Sequence, residues 1–156
     1  MRLLTALGLA LALAACGAPK AAKSGDIQAA TSFMATNAKL PGVVTLPSGL
    51  QYKIVTSGPA DGPHPRLSDE VKVNYEGKLL SGEVFDSSFA RGAPADFPLE
   101  GLVPGWVEAL QLMRPGDEWI LYVPPALGYG EDGQGPIPGN SVLIFRIQLL
   151  GVLQHP

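Results

Sequence analysis

Apolar and polar positions alternate from Val71 through Val73, Tyr75, Gly77 and Leu79, with Lys72, Asn74, Glu76 and Lys78 between them. A repeat of two sends successive side chains to opposite faces, so this segment predicts a strand with one buried and one wet face. Ser81-Gly82-Glu83 reads as a hairpin turn into Val84-Phe85-Asp86. Residues 50–55, 118–123 and 142–152 are further strands, rich in β-branched and aromatic side chains, and Pro124-Pro125 stops the second of these. One segment among them switches to helical spacing. Over 105–113, Trp106, Leu110 and Met113 recur at i, i+4 and i+7, and Arg114-Pro115-Gly116 breaks the helix. Without repeated helices between the strands, a parallel βαβ fold is excluded. The pattern predicts an α+β domain, a curled antiparallel sheet of five to six strands wrapped around one short α-helix.

The N-terminal pattern is different. Met1-Arg2 precedes an apolar run over 3–15. The run is shorter than the roughly 20 residues a membrane span needs, and it has the length of a secretion-signal core. It ends in Leu13-Ala14-Ala15-Cys16-Gly17, which resembles a bacterial lipobox. In that reading, residues 1–15 are a leader cut just before Cys16, and Cys16 carries the lipid chains; two or more chains anchor a protein stably. The other reading is an ordinary leader cut after Ala12-Leu13-Ala14. By resemblance to Gram-negative lipoproteins, Gly17 at the next position favours the outer membrane, with the domain facing the periplasm. Residues 17–25 are small and polar, as a tether would be. A helix over 26–39 follows, capped by Ser24 or Asp26, with Ile27, Ala30, Met34 and Ala38 as a weak apolar face. A helix this short reads as a spacer, or as an element lying on its own domain, rather than as a dimerisation arm, and a monomer is expected. The chain thus divides into a leader (1–15), a lipidated tether with its helix (16–47) and a domain (48–154).

Composition narrows the chemistry. The 156 residues carry a net charge of −3, so no basic surface argues for nucleic acid. One cysteine allows no intrachain disulfide. Of the two histidines, His64 lies between prolines and His155 is next to last, a poor start for a metal site or a catalytic triad. Gly128-Tyr129-Gly130 lacks the basic and hydroxyl residues of a phosphate loop. No pair of carboxylates reads as an acid and a base. What remains is aromatic. Phe85, Trp106 and Tyr129 each stand beside a turn signal, where they either line a concavity or fill a core.

Taken in order, Tyr75-Glu76-Gly77, Phe85-Asp86-Ser87-Ser88, Val103-Pro104-Gly105-Trp106, Gly128-Tyr129-Gly130, Ile137-Pro138 and Leu143-Ile144-Phe145 resemble the FKBP-type peptidyl-prolyl cis-trans isomerases. Pro47 to Tyr52, Phe97-Pro98-Leu99 and Glu108 to Met113 are similar to the Mip and FkpA-like bacterial branch. The resemblance covers about residues 45–153. It implies rotamase activity on proline-containing polypeptides, with no cofactor and no metal. It implies catalytic positions at Asp86, Tyr129, Phe97 and Trp106, and substrate-binding positions at Tyr75, Phe85, Leu102, Val103, Ile137 and Phe145. Trp106 would form the pocket floor and Tyr129 would bond a substrate carbonyl. Asp86 has a structural reading as well, a carboxylate held by Tyr75 or Arg91. Macrolide inhibitors are implied as ligands, although Ala95 replaces a frequent aromatic and Gln134 a histidine. Gly139 stands where a proline is frequent. The alternative activity is a proline-peptide clamp or holdase chaperone with little catalysis.

Overall fold

The computed structural model describes residues 24–154; the expected leader, Cys16, the first part of the tether and His155 lie outside them. Seven strands form one antiparallel sheet: β1 (Val43–Thr45), β2 (Gln51–Thr56), β3 (Glu70–Lys78), β4 (Val84–Ser87), β5 (Ala95–Pro98), β6 (Glu118–Val123) and β7 (Leu143–Leu153). The order is β1-β2-β6-β7-β3-β4, with β5 also paired to β3. Three helices accompany them: α1 (Ser24–Asn37), the single turn α2 (Ser88–Arg91) and α3 (Pro104–Leu110).

The period-two pattern of β3 is seen in its burial. Val71, Val73, Tyr75, Gly77 and Leu79 are buried, while Lys72 and Lys78 are exposed. Trp119, Leu121 and Val123 of β6 and Leu143, Phe145, Ile147 and Leu149 of β7 bury the same face. Trp106, Ala109 and Leu110 of α3, together with Met113, close over it. Each fully buried aliphatic side chain of this layer contributes about 1.5–3 kcal/mol. Pro104 opens α3 at a position where its missing N–H costs nothing.

The sheet has seven strands, one more than the upper expected count of six, and two of them are very short. β1 and β5 span three and four residues, too short for a repeat of two to register, and both are defined by the strand they pair with. The helix α3 ends at Leu110, three residues earlier than its spacing suggested, although Met113 stays in the core. The N-terminal helix also differs. It starts at Ser24 and buries Ala30 and Asn37, whereas Ile27 and Ala38 are exposed. Its contact with the sheet is partly polar. Asn37 Nδ2 donates to Gln51 Oε1 at 2.9 Å, Gln51 Nε2 donates to the Met34 carbonyl at 2.8 Å, and Phe33 meets Tyr122 with ring centroids 6.1 Å apart. An apolar periodicity cannot register a face held this way. No helix among the described residues is long and apolar enough to cross a membrane.

Strand β3 positions the site because its outer edge is shared. Residues 70–73 pair with β5 and 76–78 with β4, leaving a gap at Asn74–Tyr75. Ser88, fully buried at the start of α2, fills that gap. Its Oγ accepts the Tyr75 N–H at 2.8 Å, with the Tyr75 carbonyl 3.3 Å away. One hydroxyl stands in for a strand residue. The turn α2 is itself capped at both ends, by Ser87 Oγ accepting the Ala90 N–H and by Gly92 in the left-handed region.

Candidate active site

Aromatic side chains from four strands and a helix meet where α3 crosses the sheet. Trp106 is the centre, 4 % exposed. Tyr75, Phe145 and Phe97 meet its ring close to edge-on, with centroids 5.2, 5.1 and 6.2 Å away. Phe85 packs edge-on against Phe145 at 5.6 Å. Gly77 makes this approach possible, since a Cβ there would lie 2.6 Å from Phe85 and 2.7 Å from Phe145.

These rings wall a cavity of about 360 Å³. Nine of the ten pocket positions expected from sequence line it: Tyr75, Phe85, Asp86, Phe97, Leu102, Val103, Trp106, Tyr129 and Phe145. Ile137 is placed otherwise. It is 7 % exposed within the core, and its backbone pairs with that of Gln134, which takes a place in the wall instead. Gly101 lines the cavity as well. Gln134 was singled out in the sequence only as standing where the resemblance implies a histidine; Gly101 carried no signal. His64 is not among the lining residues and sits against Met113 and Arg114.

The segment after Tyr129 is held by its own backbone. Gln134 and Ile137 exchange N–H···O bonds of 2.9 Å, and the Gly133 N–H reaches the Tyr129 carbonyl at 3.1 Å. Gly133, with φ of 68°, lies so close that a Cβ would meet the Ile137 carbonyl at 2.2 Å. Tyr129 is half-buried, and among the described residues none bonds its hydroxyl. Trp106 Nε1 is buried without a partner there too.

The single carboxylate of the wall is already engaged. The Tyr75 hydroxyl donates to Asp86 Oδ2 at 2.5 Å, the Arg91 guanidinium pairs with Oδ1, and Arg91 Nη2 also donates to the Tyr75 hydroxyl at 2.9 Å. Both partners expected for Asp86 therefore hold it at once. Burial alone would raise the Asp86 pKa, but the bonds from Tyr75 and Arg91 and the guanidinium charge outweigh it and hold the carboxyl below its usual range. Burial, reinforced by the hydrogen bond to Asp86, pushes the Tyr75 phenol up, with Arg91 opposing. At neutral pH the trio is a neutral hydroxyl, a carboxylate and a cation, with no proton poised for transfer.

A family model for the FKBP-type peptidyl-prolyl cis-trans isomerases matches residues 62–150, and a model for the domain amino-terminal to such isomerases matches residues 11–54. The chain belongs to the FKBP-type isomerase family. The family's match takes in every lining residue of the cavity. Over 122 residues, 78 % of this chain, it is 52 % identical to the peptidyl-prolyl cis-trans isomerase Mip of Coxiella burnetii, covering 52 % of that protein. Over the same length it is 48 % identical to the outer membrane protein MIP of Legionella longbeachae, again covering 52 % of it. The crystal structure of FkpA from Escherichia coli superposes with a TM-score of 0.80 at 41 % identity, over 85 % of this chain and 62 % of that one. The chain spans about half the length of the curated relatives named here.

Proposed function

We propose that this chain is a peptidyl-prolyl cis-trans isomerase that accelerates X-Pro bond rotation in exported or envelope polypeptides. The observation that carries the reading is the aromatic cavity with its one carboxylate already paired. Peptide bond rotation faces a barrier of about 18–20 kcal/mol from amide resonance, and X-Pro bonds turn over in tens to hundreds of seconds. The planar amide is more polar than its twisted state. A dry apolar wall therefore favours the twisted state relative to water, which is differential binding of the transition state. A thousandfold acceleration needs about 4 kcal/mol. No bond is broken, so no nucleophile or proton shuttle is required.

In this reading Phe85, Phe97 and Trp106 hold the proline ring, and Tyr75, Leu102, Val103 and Phe145 complete the wall. The unpartnered Tyr129 hydroxyl donates to the substrate carbonyl and fixes one side of the bond while the other turns. Asp86, neutralised by Tyr75 and Arg91, shapes the wall and keeps Tyr75 in place rather than moving a proton. Ile137 supports the loop that carries Gln134. Macrolides that fill such a cavity would compete with substrate.

The proposal extends to location. Residues 1–15 act as a leader, Cys16 carries lipid, and the isomerase domain of 48–154 faces the periplasm from the outer membrane as a monomer. The lipobox-like sequence and the outer-membrane name of one relative support this. Cys16→Ser should move the chain from the membrane fraction to the soluble fraction of cells expressing it.

A proline-limited peptide assay tests the activity. The chain should raise the isomerisation rate, and Phe97→Ala should lower kcat/KM at least tenfold while costing less than about 3 kcal/mol of stability, since Phe97 is only half-buried. A chain that suppresses aggregation of an unfolded protein yet leaves the rate unchanged would be a clamp, and the isomerase reading would fail.

A further inference from the structure

Charge is distributed unevenly along the segments that supply most of the cavity wall. Between Arg91 and Arg146 the only positive residue is Arg114, against seven Asp and Glu residues. That stretch supplies eight of the eleven residues lining the cavity. Three of the seven acids are engaged in the fold, and Asp96 stands opposite Lys72 across the β3–β5 ladder. Glu108 accepts from Ser48 Oγ at 2.6 Å, Asp117 accepts the Gly58 and Arg114 N–H groups, and Glu118 pairs with Arg146 and Gln148.

The three that remain are Glu100, Glu131 and Asp132. Each is exposed, and among the described residues none has a hydrogen bond or ion pair through its side chain. All three border the cavity in sequence. Glu100 precedes the lining residue Gly101, and Glu131 and Asp132 fall between the lining residues Tyr129 and Gln134. They come from two separate segments, the 3-10 turn at Leu99–Gly101 and the loop after β6. No Lys or Arg is among the residues lining the cavity, and Arg91, next to its wall, is held by Asp86 and Tyr75. These three acids flank, in sequence, the residues of a site already shaped for a ligand: its wall carries the buried Trp106, whose Nε1 has no partner among the described residues, and Gln134.

We propose that they form a rim that gives the site a preference for proline-containing segments with Lys or Arg close to the proline. The inference rests on the isomerase-family reading of the cavity and adds the class of polypeptide it takes. Proline binds in the apolar cavity, and a basic residue beside it approaches carboxylates that have no other partner. Exposed charges interact through water, so the preference is modest, mainly in KM, and sensitive to salt.

The test uses the full chain and three peptides that differ only in carrying Lys, Ala or Glu beside the X-Pro pair. At low ionic strength kcat/KM for the Lys peptide should exceed that for the Glu peptide by roughly five- to tenfold, falling towards unity in about 0.5 M salt as the Debye length shrinks. The triple variant Glu100→Gln, Glu131→Gln, Asp132→Asn should lose the preference and keep its rate with the Ala peptide. Equal rates for the Lys and Glu peptides at low salt, or a preference that survives in the triple variant, would overturn the proposal. Binding of the same peptides, followed by tryptophan fluorescence, keeps the two readings apart. A chain that turns over no peptide but still binds Lys over Glu would refute the isomerase and uphold the rim; normal turnover without charge preference would do the reverse.

Discussion

Gly77→Ala is the substitution that most directly couples packing to the site. Gly77 lies in β3 beneath two rings, and an added Cβ would sit 2.6 Å from Phe85 Cζ and 2.7 Å from Phe145 Cε1. Carbon atoms pack at about 3.5–4.0 Å, so each ring must retreat by about 1 Å. Phe145 has nowhere to go. It is 4 % exposed and packed between Phe85 and Trp106. Phe85 is half-buried on the cavity wall and moves instead. Overpacking of this kind costs about 1–3 kcal/mol, and alanine recovers about 0.5–1 kcal/mol of what glycine costs in a strand, leaving a net loss of about 0–2.5 kcal/mol. A wall displaced by about 1 Å should cut kcat/KM by roughly ten- to a hundredfold. Gly101→Ala is the control: Gly101 lines the cavity, but nothing lies within 4 Å of the new Cβ. It should change stability by less than about 0.5 kcal/mol. Urea denaturation and the proline-limited assay on both variants give the answer. Equal stability and equal turnover in the two would refute the packing account of the wall.

The remaining predictions concern the elements around that wall. Arg91→Leu removes one of the forces holding the Asp86 carboxyl down. Because the folded pKa lies below the unfolded value of about 3.9, the contribution of Asp86 is fully present above that pH and is lost as pH falls through the folded value. Wild-type stability should therefore show no Asp86-linked change between pH 5 and pH 8, and the variant, less stable at neutral pH, should lose less stability than wild type as pH falls below about 4, read from denaturation midpoints across pH 2–6. Ser88→Ala should cost about 1–3 kcal/mol, because it leaves the Tyr75 N–H buried and unpaired, whereas Ser87→Ala removes only the cap of α2 and should cost about 1 kcal/mol. Asn37→Ala breaks the buried bond to Gln51, so α1 should become protease-sensitive while the main unfolding transition changes little.

How much of this was legible beforehand follows from the physics of each element. Burial on one face made β3, β6, β7 and α3 readable, since their buried residues repeat at the period of the element. β1 and β5 were not, because three or four residues carry no period and their form is set by the partner strand. The face of α1 was misjudged because its closest contacts are hydrogen bonds of Gln51 with Asn37 and the Met34 carbonyl, rather than contacts of apolar side chains. In the cavity, the aromatic positions were identified through a resemblance carried by several ordered motifs. Spacing alone left open whether they filled a core, and Trp106 and Tyr75 do both, being buried and in the wall. Ile137 and Gln134 exchanged places because the tight turn between them decides which side chain meets the cavity, and that turn depends on left-handed glycines at 133 and 135.

The serine that completes the interrupted edge of β3 has a practical consequence for watching this protein in solution. In a regular ladder an amide proton reports on its neighbouring strand; at Tyr75 it reports on the turn that carries Arg91. Its exchange with deuterium therefore measures how often that turn lifts off, at the residue whose own side chain holds the engaged carboxylate. A single resonance can thus follow the integrity of the wall without any ligand, dye or substrate being added.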